Sequence, residues 1–143
     1  MICADTSFLL SLTGNDSNSP TAVAHAQTLT APVIITLLNR LEFENAIRLL
    51  RFRGIMPAVE AASLSAALAA DEAGGRIVEM PCEWTAVFRR AQGLSEKRAE
   101  QEGHRLLDLL HVAAALELGA TDFLTFDQRQ RALALTEGLR VGP

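Results

Sequence analysis

The sequence predicts an α/β fold in which a central, mostly parallel sheet of four to five strands carries helices on both faces. Three observations point there. Short apolar runs alternate along the whole chain with longer helical segments. Gly and Pro punctuate the joints between them in the order that helices favour, Pro near a start and Gly near an end. A length of 143 residues, 49% hydrophobic and 21% charged, suits one compact domain over residues 1–143 with a real core.

Met1–Ala4 is a short apolar run ending at Asp5, read as a buried strand. Asp5-Thr6-Ser7 then offers N-cap residues for a short helix over Phe8–Leu12. Gly14–Pro20 is a loop by composition, and Thr21–Thr30 a helix closed before Pro32. Val33–Thr36 is a second, β-branched strand. Leu37–Arg53 is a long helix stopped by Gly54, and Pro57–Ala73 an Ala-rich helix ended by Gly74-Gly75. Arg76–Met80 is a third strand, and Pro81 opens a helix running to about Gln92. A polar helical piece follows from Leu94 to Gly103. His104–Leu118 is apolar almost all round and is read as a buried helix terminated by Gly119. Asp122–Phe126 is the fourth strand, Asp127–Glu137 a surface helix, and Leu139–Val141 a short fifth strand.

Bulk chemistry excludes several classes. The net charge of −4 provides no global positive field to recruit nucleic acid, so phosphate would need a metal or a local Arg patch. Lys97 is the only Lys among 13 basic residues, a bias that fits phosphate recognition or simply genome composition. Arg48, Arg51 and Arg53 gather where a helix C-terminus favours cations in any case. Two cysteines, Cys3 and Cys82, give no disulfide framework or metal pattern, and Cys3 falls in a core strand. The first residues lack the basic region of a signal peptide, and no apolar run reaches 18 residues, so a cytoplasmic protein away from membranes is expected.

Sites in parallel sheets form beyond the carboxyl ends of strands, near the point where strand order reverses. Asp5 and Asp127 stand just after strands one and four. If those strands are neighbours, two like charges meet and need a cation between them. Glu42 lies one turn into the helix after strand two, on a face formed by Leu38, Glu42, Asn45, Ala46 and Leu49. Asp108 interrupts the buried helix on a face shared with His104, His111 and Ala115. An ionised Asp without a partner costs several kcal/mol or more to bury. An all-oxygen set favours the hard cations Mg²⁺ or Mn²⁺ over zinc. Such a metal can polarise phosphate, activate water and steady a leaving oxygen, which is phosphodiester hydrolysis.

Four stretches then resemble PIN-domain proteins, specifically the VapC-type ribonuclease toxins of bacterial toxin–antitoxin pairs. They are Asp5–Leu10, Leu41–Ala46, Asp108–Ala115 and Phe123–Gln130. Each is weak alone; their order, spacing and strand-end placement together are specific, and they span nearly the whole chain. The resemblance implies a three-layer α/β/α sandwich and a Mg²⁺- or Mn²⁺-dependent endoribonuclease acting on RNA. By position, Asp5, Glu42, Asp108 and Asp127 would form the acidic site. It also implies a cognate antitoxin that blocks the site, and a toxin homodimer.

Each assignment has a plainer rival. Asp5 and Asp127 could serve as helix N-caps, a role compatible with metal ligation. Glu44 lies about 200° round the helix from Glu42 and reads as exposed or paired with Arg48. Asp122 precedes its strand and reads as a turn residue at the opposite sheet end. His111 could touch substrate, orient a carboxylate or be a satisfied core histidine, and stays outside the metal set. Asn45 could hydrogen-bond a carboxylate or water behind the ligands, and Thr6, Ser7 and Thr125 could reach metal-bound water or simply satisfy nearby backbone. A phosphoacceptor receiver domain would need a Lys after a late strand, and a haloacid-type phosphatase an Asp where Ser7 stands. The non-enzymatic rival is a PIN-like module that binds RNA or protein without cutting.

Overall fold

The computed structural model describes all residues, Met1–Pro143. Its strands are β1 (Ile2–Ala4), β2 (Val33–Ile35), β3 (Ile77–Glu79), β4 (Asp122–Leu124) and β5 (Arg140–Gly142). They form one parallel sheet in the order β3-β2-β1-β4-β5. The helices are α1 (Thr6–Thr13), α2 (Ser19–Thr28), α3 (Leu37–Phe52), α4 (Ala58–Ala73), α5 (Trp84–Leu94), α6 (Glu100–Glu102), α7 (Leu106–Glu117) and α8 (Gln128–Thr136). A π-helical turn, Ser95–Ala99, joins α5 to α6.

Side chains alternate across the strands and divide the core in two. Cys3, Ile34 and Phe123 face a cluster with Val87 and Ala91 of α5, Leu109 to Ala115 of α7 and Leu133 of α8. Ala4, Val33, Ile35 and Leu124 face Phe8 and Leu9 of α1, Phe43 and Ile47 of α3 and Leu64 and Leu68 of α4. The result is a three-layer α/β/α sandwich. Cys3 behaves as a small hydrophobe, and burial pushes its thiol up to about 12. No helix is long and apolar enough to cross a membrane.

Several boundaries move from their expected places. The α5 helix begins at Trp84 rather than Pro81, because the Glu83 carboxylate caps it by accepting from Thr85 N–H at 3.1 Å. The α2 helix begins at Ser19, inside the expected loop. The larger correction concerns α3. Its buried residues are Asn39, Phe43 and Ile47, whereas Leu41 and Leu49 are 65% and 42% exposed. Most of its leucines, Leu37, Leu38, Leu41 and Leu49, share one side, yet Phe43 and Ile47 on another side are the buried ones, so the face built on Leu38 and Leu49 is not the buried face, and Asn45 on it is exposed.

The chain reverses its direction across the sheet between β1 and β4, whose register pairs Ala4 with Leu124. Asp5 N–H donates to Leu124 C=O at 3.0 Å and so continues the ladder one residue beyond the strands. The switch point therefore lies directly beneath Asp5. The other end of β4 is closed differently. Asp122 is paired with Arg140 at 2.7 Å, and that guanidinium holds its carboxyl down at about 2.

Two outcomes follow. Ala113 is fully buried among α5, α7 and the sheet, so Ala113→Leu overfills the core and costs about 1–3 kcal/mol in urea unfolding. Asp122→Asn removes an ion pair whose contribution is complete above the ordinary carboxyl value of 3.8 and lost as pH falls toward 2. The variant should be slightly less stable than wild type at pH 7, by under about 1 kcal/mol for a surface pair. The gap should narrow in melts as pH falls below 3.8 and close as it falls through about 2.

Candidate active site

The β1–α1 corner is built around Asp5, which has no solvent exposure. As N-cap of α1 it accepts from Phe8 N–H at 2.9 Å. Thr125 Oγ1, just past β4, donates to Oδ2 at 2.7 Å. Ser7 Oγ lies 2.8 Å from both carboxylate oxygens and itself accepts from Phe126 N–H at 2.9 Å. Burial raises the Asp5 carboxyl above its ordinary value; the bonds from Phe8, Thr125 and Ser7 pull the other way without prevailing. Ser7 and Thr125 therefore bond the Asp5 carboxylate, and each also accepts from a backbone N–H, Ser7 from Phe126 and Thr125 from Asp127.

Asp127 and Asp108 use the same device at two other helix starts. Asp127 caps α8 through Oδ1, which accepts from Arg129 and Gln130 N–H at 2.8 and 3.0 Å. Asp108, buried in the first turn of α7, accepts from Arg105 N–H through Oδ2 at 2.9 Å. Asp127 Oδ2 and Asp108 Oδ1 have no protein donor. Glu42 is half-buried one turn into α3. Its Oε2 accepts from Thr6 Oγ1 and lies 2.6 Å from His111 Nε2. Burial pushes Glu42 up, but the hydrogen bonds it accepts from His111 and the Thr6 hydroxyl hold it below the ordinary value.

All four carboxylates line one cleft of about 440 Å³ at the carboxyl end of β1 and β4, together with Thr6, Ser7, Arg105 and Gln130. Glu44 turns away and pairs with Arg48 at 3.3 Å. Asn45 makes no hydrogen bond to the four acids and does not line the cleft. His111 is 3% exposed and is tied to Glu42. Asn39 is the residue the sequence reading passed over. It sits 2% exposed behind the site and contacts Thr36, Ala4 and His111. Its available signal was the spacing Thr36-x-x-Asn39 at a helix start, which resembles a capping box.

The donor set fits a hard divalent cation in chemistry. Every donor is an oxygen, three carboxylates each keep one oxygen free, and no Arg or Lys pairs with any of the four, although six other Arg residues hold carboxylates elsewhere. No three acidic or imidazole groups converge as a closed cage.

The PIN-domain family model matches residues 2–135 of this chain. No curated protein matches it. Among solved structures, it resembles VapC20 of Mycobacterium tuberculosis, described as a sarcin–ricin loop cleaving toxin. That match has 19% identity, covers 92% of this chain and 94% of that one, and has a TM-score of 0.66. FitAcB from Neisseria gonorrhoeae is 17% identical over 100% of this chain and 97% of that one, with a TM-score of 0.68. VapBC2 from Rickettsia felis, solved with a DNA fragment from its promoter, is 15% identical over 99% and 97%, with a TM-score of 0.63. At these identities the structures speak to fold alone. The family match covers nearly the whole chain and both strand-end acids, and this protein belongs to the PIN-domain family.

Proposed function

We propose that residues 1–143 form a single PIN-like domain that hydrolyses RNA phosphodiester bonds as a Mg²⁺- or Mn²⁺-dependent endoribonuclease. In this reading it is the VapC-type toxin of a toxin–antitoxin pair, a cytoplasmic homodimer silenced by a cognate antitoxin. The observation that carries the enzymatic part is the gathering of Asp5, Glu42, Asp108 and Asp127 around one cleft with no Arg or Lys to neutralise them. The partner part draws on fold neighbours described as toxins or as VapBC and FitAB assemblies.

Asp5, Glu42, Asp108 and Asp127 would hold the metal, which supplies Lewis acidity at the phosphate and lowers the pKa of water. The chain's own groups do the rest. Phe8, Ser7 and Thr125 fix Asp5, so its carboxylate needs no reorganisation when a cation arrives. Arg105 lines the same cleft, carries no carboxylate partner and offers a cation to substrate phosphate. Phe88 and Leu106, 56% and 64% exposed beside one groove, supply apolar surface for a second subunit. The missing closed cage favours the second reading, a non-catalytic RNA- or protein-binding module.

The two readings separate in one assay. Purified protein should cleave RNA with Mg²⁺ or Mn²⁺ and stop in EDTA. Asp5→Asn and Asp108→Asn should each lose more than the roughly 10- to 100-fold typical of removing a supporting residue, and should relieve growth arrest on expression. Full activity in either folded variant removes that residue from the site; an inert wild type with metal favours the binding module.

Stability gives an independent check on Asp5. Its carboxyl is raised in the folded protein, so the metal-free fold loses stability as pH rises from the ordinary value of 3.8 through the folded one. In EDTA at pH 7, Asp5→Asn should therefore melt no lower than wild type. The difference should narrow as pH falls toward 4. Mg²⁺ should raise the melting temperature of wild type but not of the variant.

A further inference from the structure

Behind Glu42 runs a buried polar chain that starts on the backbone. Thr36 N–H donates to Asn39 Oδ1 at 2.8 Å, and Asn39 Nδ2 donates to Ala4 C=O at 2.8 Å. A backbone N–H only donates and a carbonyl only accepts, so these two groups settle which way the amide points. The remaining Nδ2 hydrogen faces His111 Nδ1 at 3.3 Å. That ring nitrogen must accept, which leaves the imidazole proton on Nε2. Nε2 then donates to Glu42 Oε2 at 2.6 Å, the oxygen that also takes the Thr6 hydroxyl. Glu42 Oε1 has no protein donor.

We infer that Asn39 and His111 are positioning residues. They clamp Glu42 by Oε2 and present Oε1 to the cleft; its use there as a metal ligand rests on the proposed function. Asn39 is 2% and His111 3% exposed, so no solvent replaces a lost link. Without the Asn39 donor the ring proton can move to Nδ1. An Nε2 lone pair would then face a carboxylate oxygen, and repulsion would release Glu42. The same amide grips Ala4, the residue before Asp5. It thereby ties the β1 end, the start of α3 and the middle of α7 into one unit.

The test uses the full chain. In metal-free wild type, long-range ¹H–¹⁵N spectra should show His111 protonated on Nε2 and bare on Nδ1. Folded Asn39→Leu should lose that single tautomer. By calorimetry, Asn39→Leu and His111→Leu should bind Mn²⁺ about 10- to 100-fold more weakly. Their kcat should fall while KM for RNA holds. His111→Gln offers an acceptor to Asn39 and a donor to Glu42, and should keep wild-type Mn²⁺ affinity. A proton on Nδ1 in wild type, or undiminished Mn²⁺ affinity in folded His111→Leu, overturns the inference. If His111→Leu does not fold, equal loss in His111→Gln and no loss in Asn39→Leu overturns it. If wild type binds no Mn²⁺, the proposed function fails instead. The inference is then decided by crystal structures, in which a Glu42 side chain unmoved by His111→Leu would sink it.

Discussion

The site depends on one buried carboxylate held at the switch point of a parallel sheet. Asp5 extends the β1–β4 ladder through its own N–H, so its position is set by sheet geometry rather than by a flexible loop. Its side chain then gathers a backbone N–H from α1 and hydroxyls from Ser7 and Thr125. Those bonds order the corner but leave the charge only partly compensated, as the raised carboxyl shows. A cation such as the proposed metal would bring the positive charge that these dipoles only partly replace.

Helix starts supply much of that compensation. Asp5 and Asp127 cap α1 and α8, and Asp108 accepts from the N–H that precedes α7. The amino ends of three helices therefore point their partial positive charge at one cleft. Capping and ligation do not compete, because Asp127 and Asp108 each spend one oxygen on the helix and keep the other. The plainer reading of Asp127 as a cap is correct at one oxygen, and says nothing against a role for the second.

Much of this was legible in the sequence for identifiable reasons. A three-residue strand ending in Asp leaves the carboxylate at the sheet's carboxyl edge whatever the details, so Asp5 and Asp127 needed only the strands to be found. Asp108 was visible because a charge interrupts a helix apolar on every side. Glu42 does line the cleft, although it was read from a face assigned wrongly. With most leucines of α3 on one side and Phe43 and Ile47 on another, periodicity alone could not say which apolar side is buried, and Asn45 took the place in the reading that belongs to Asn39. The role of Asn39 depends on Ala4 and His111, 35 and 72 residues away. No local pattern encodes contacts of that range.

The distribution of ion pairs has a thermodynamic consequence. Every Arg–carboxylate pair lies outside the cleft, and β4 carries a neutralised acid at one end and a bare one beyond the other. In a chain of net charge −4, four carboxylates without an Arg or Lys partner line this one cleft. A divalent cation bound there would make the cleft less hostile to a polyanion, and a polyanion would make it more attractive to the cation. Each ligand would then strengthen the other's binding by the same factor. That coupling is a property of the charge layout itself and requires no change in the shape of the protein.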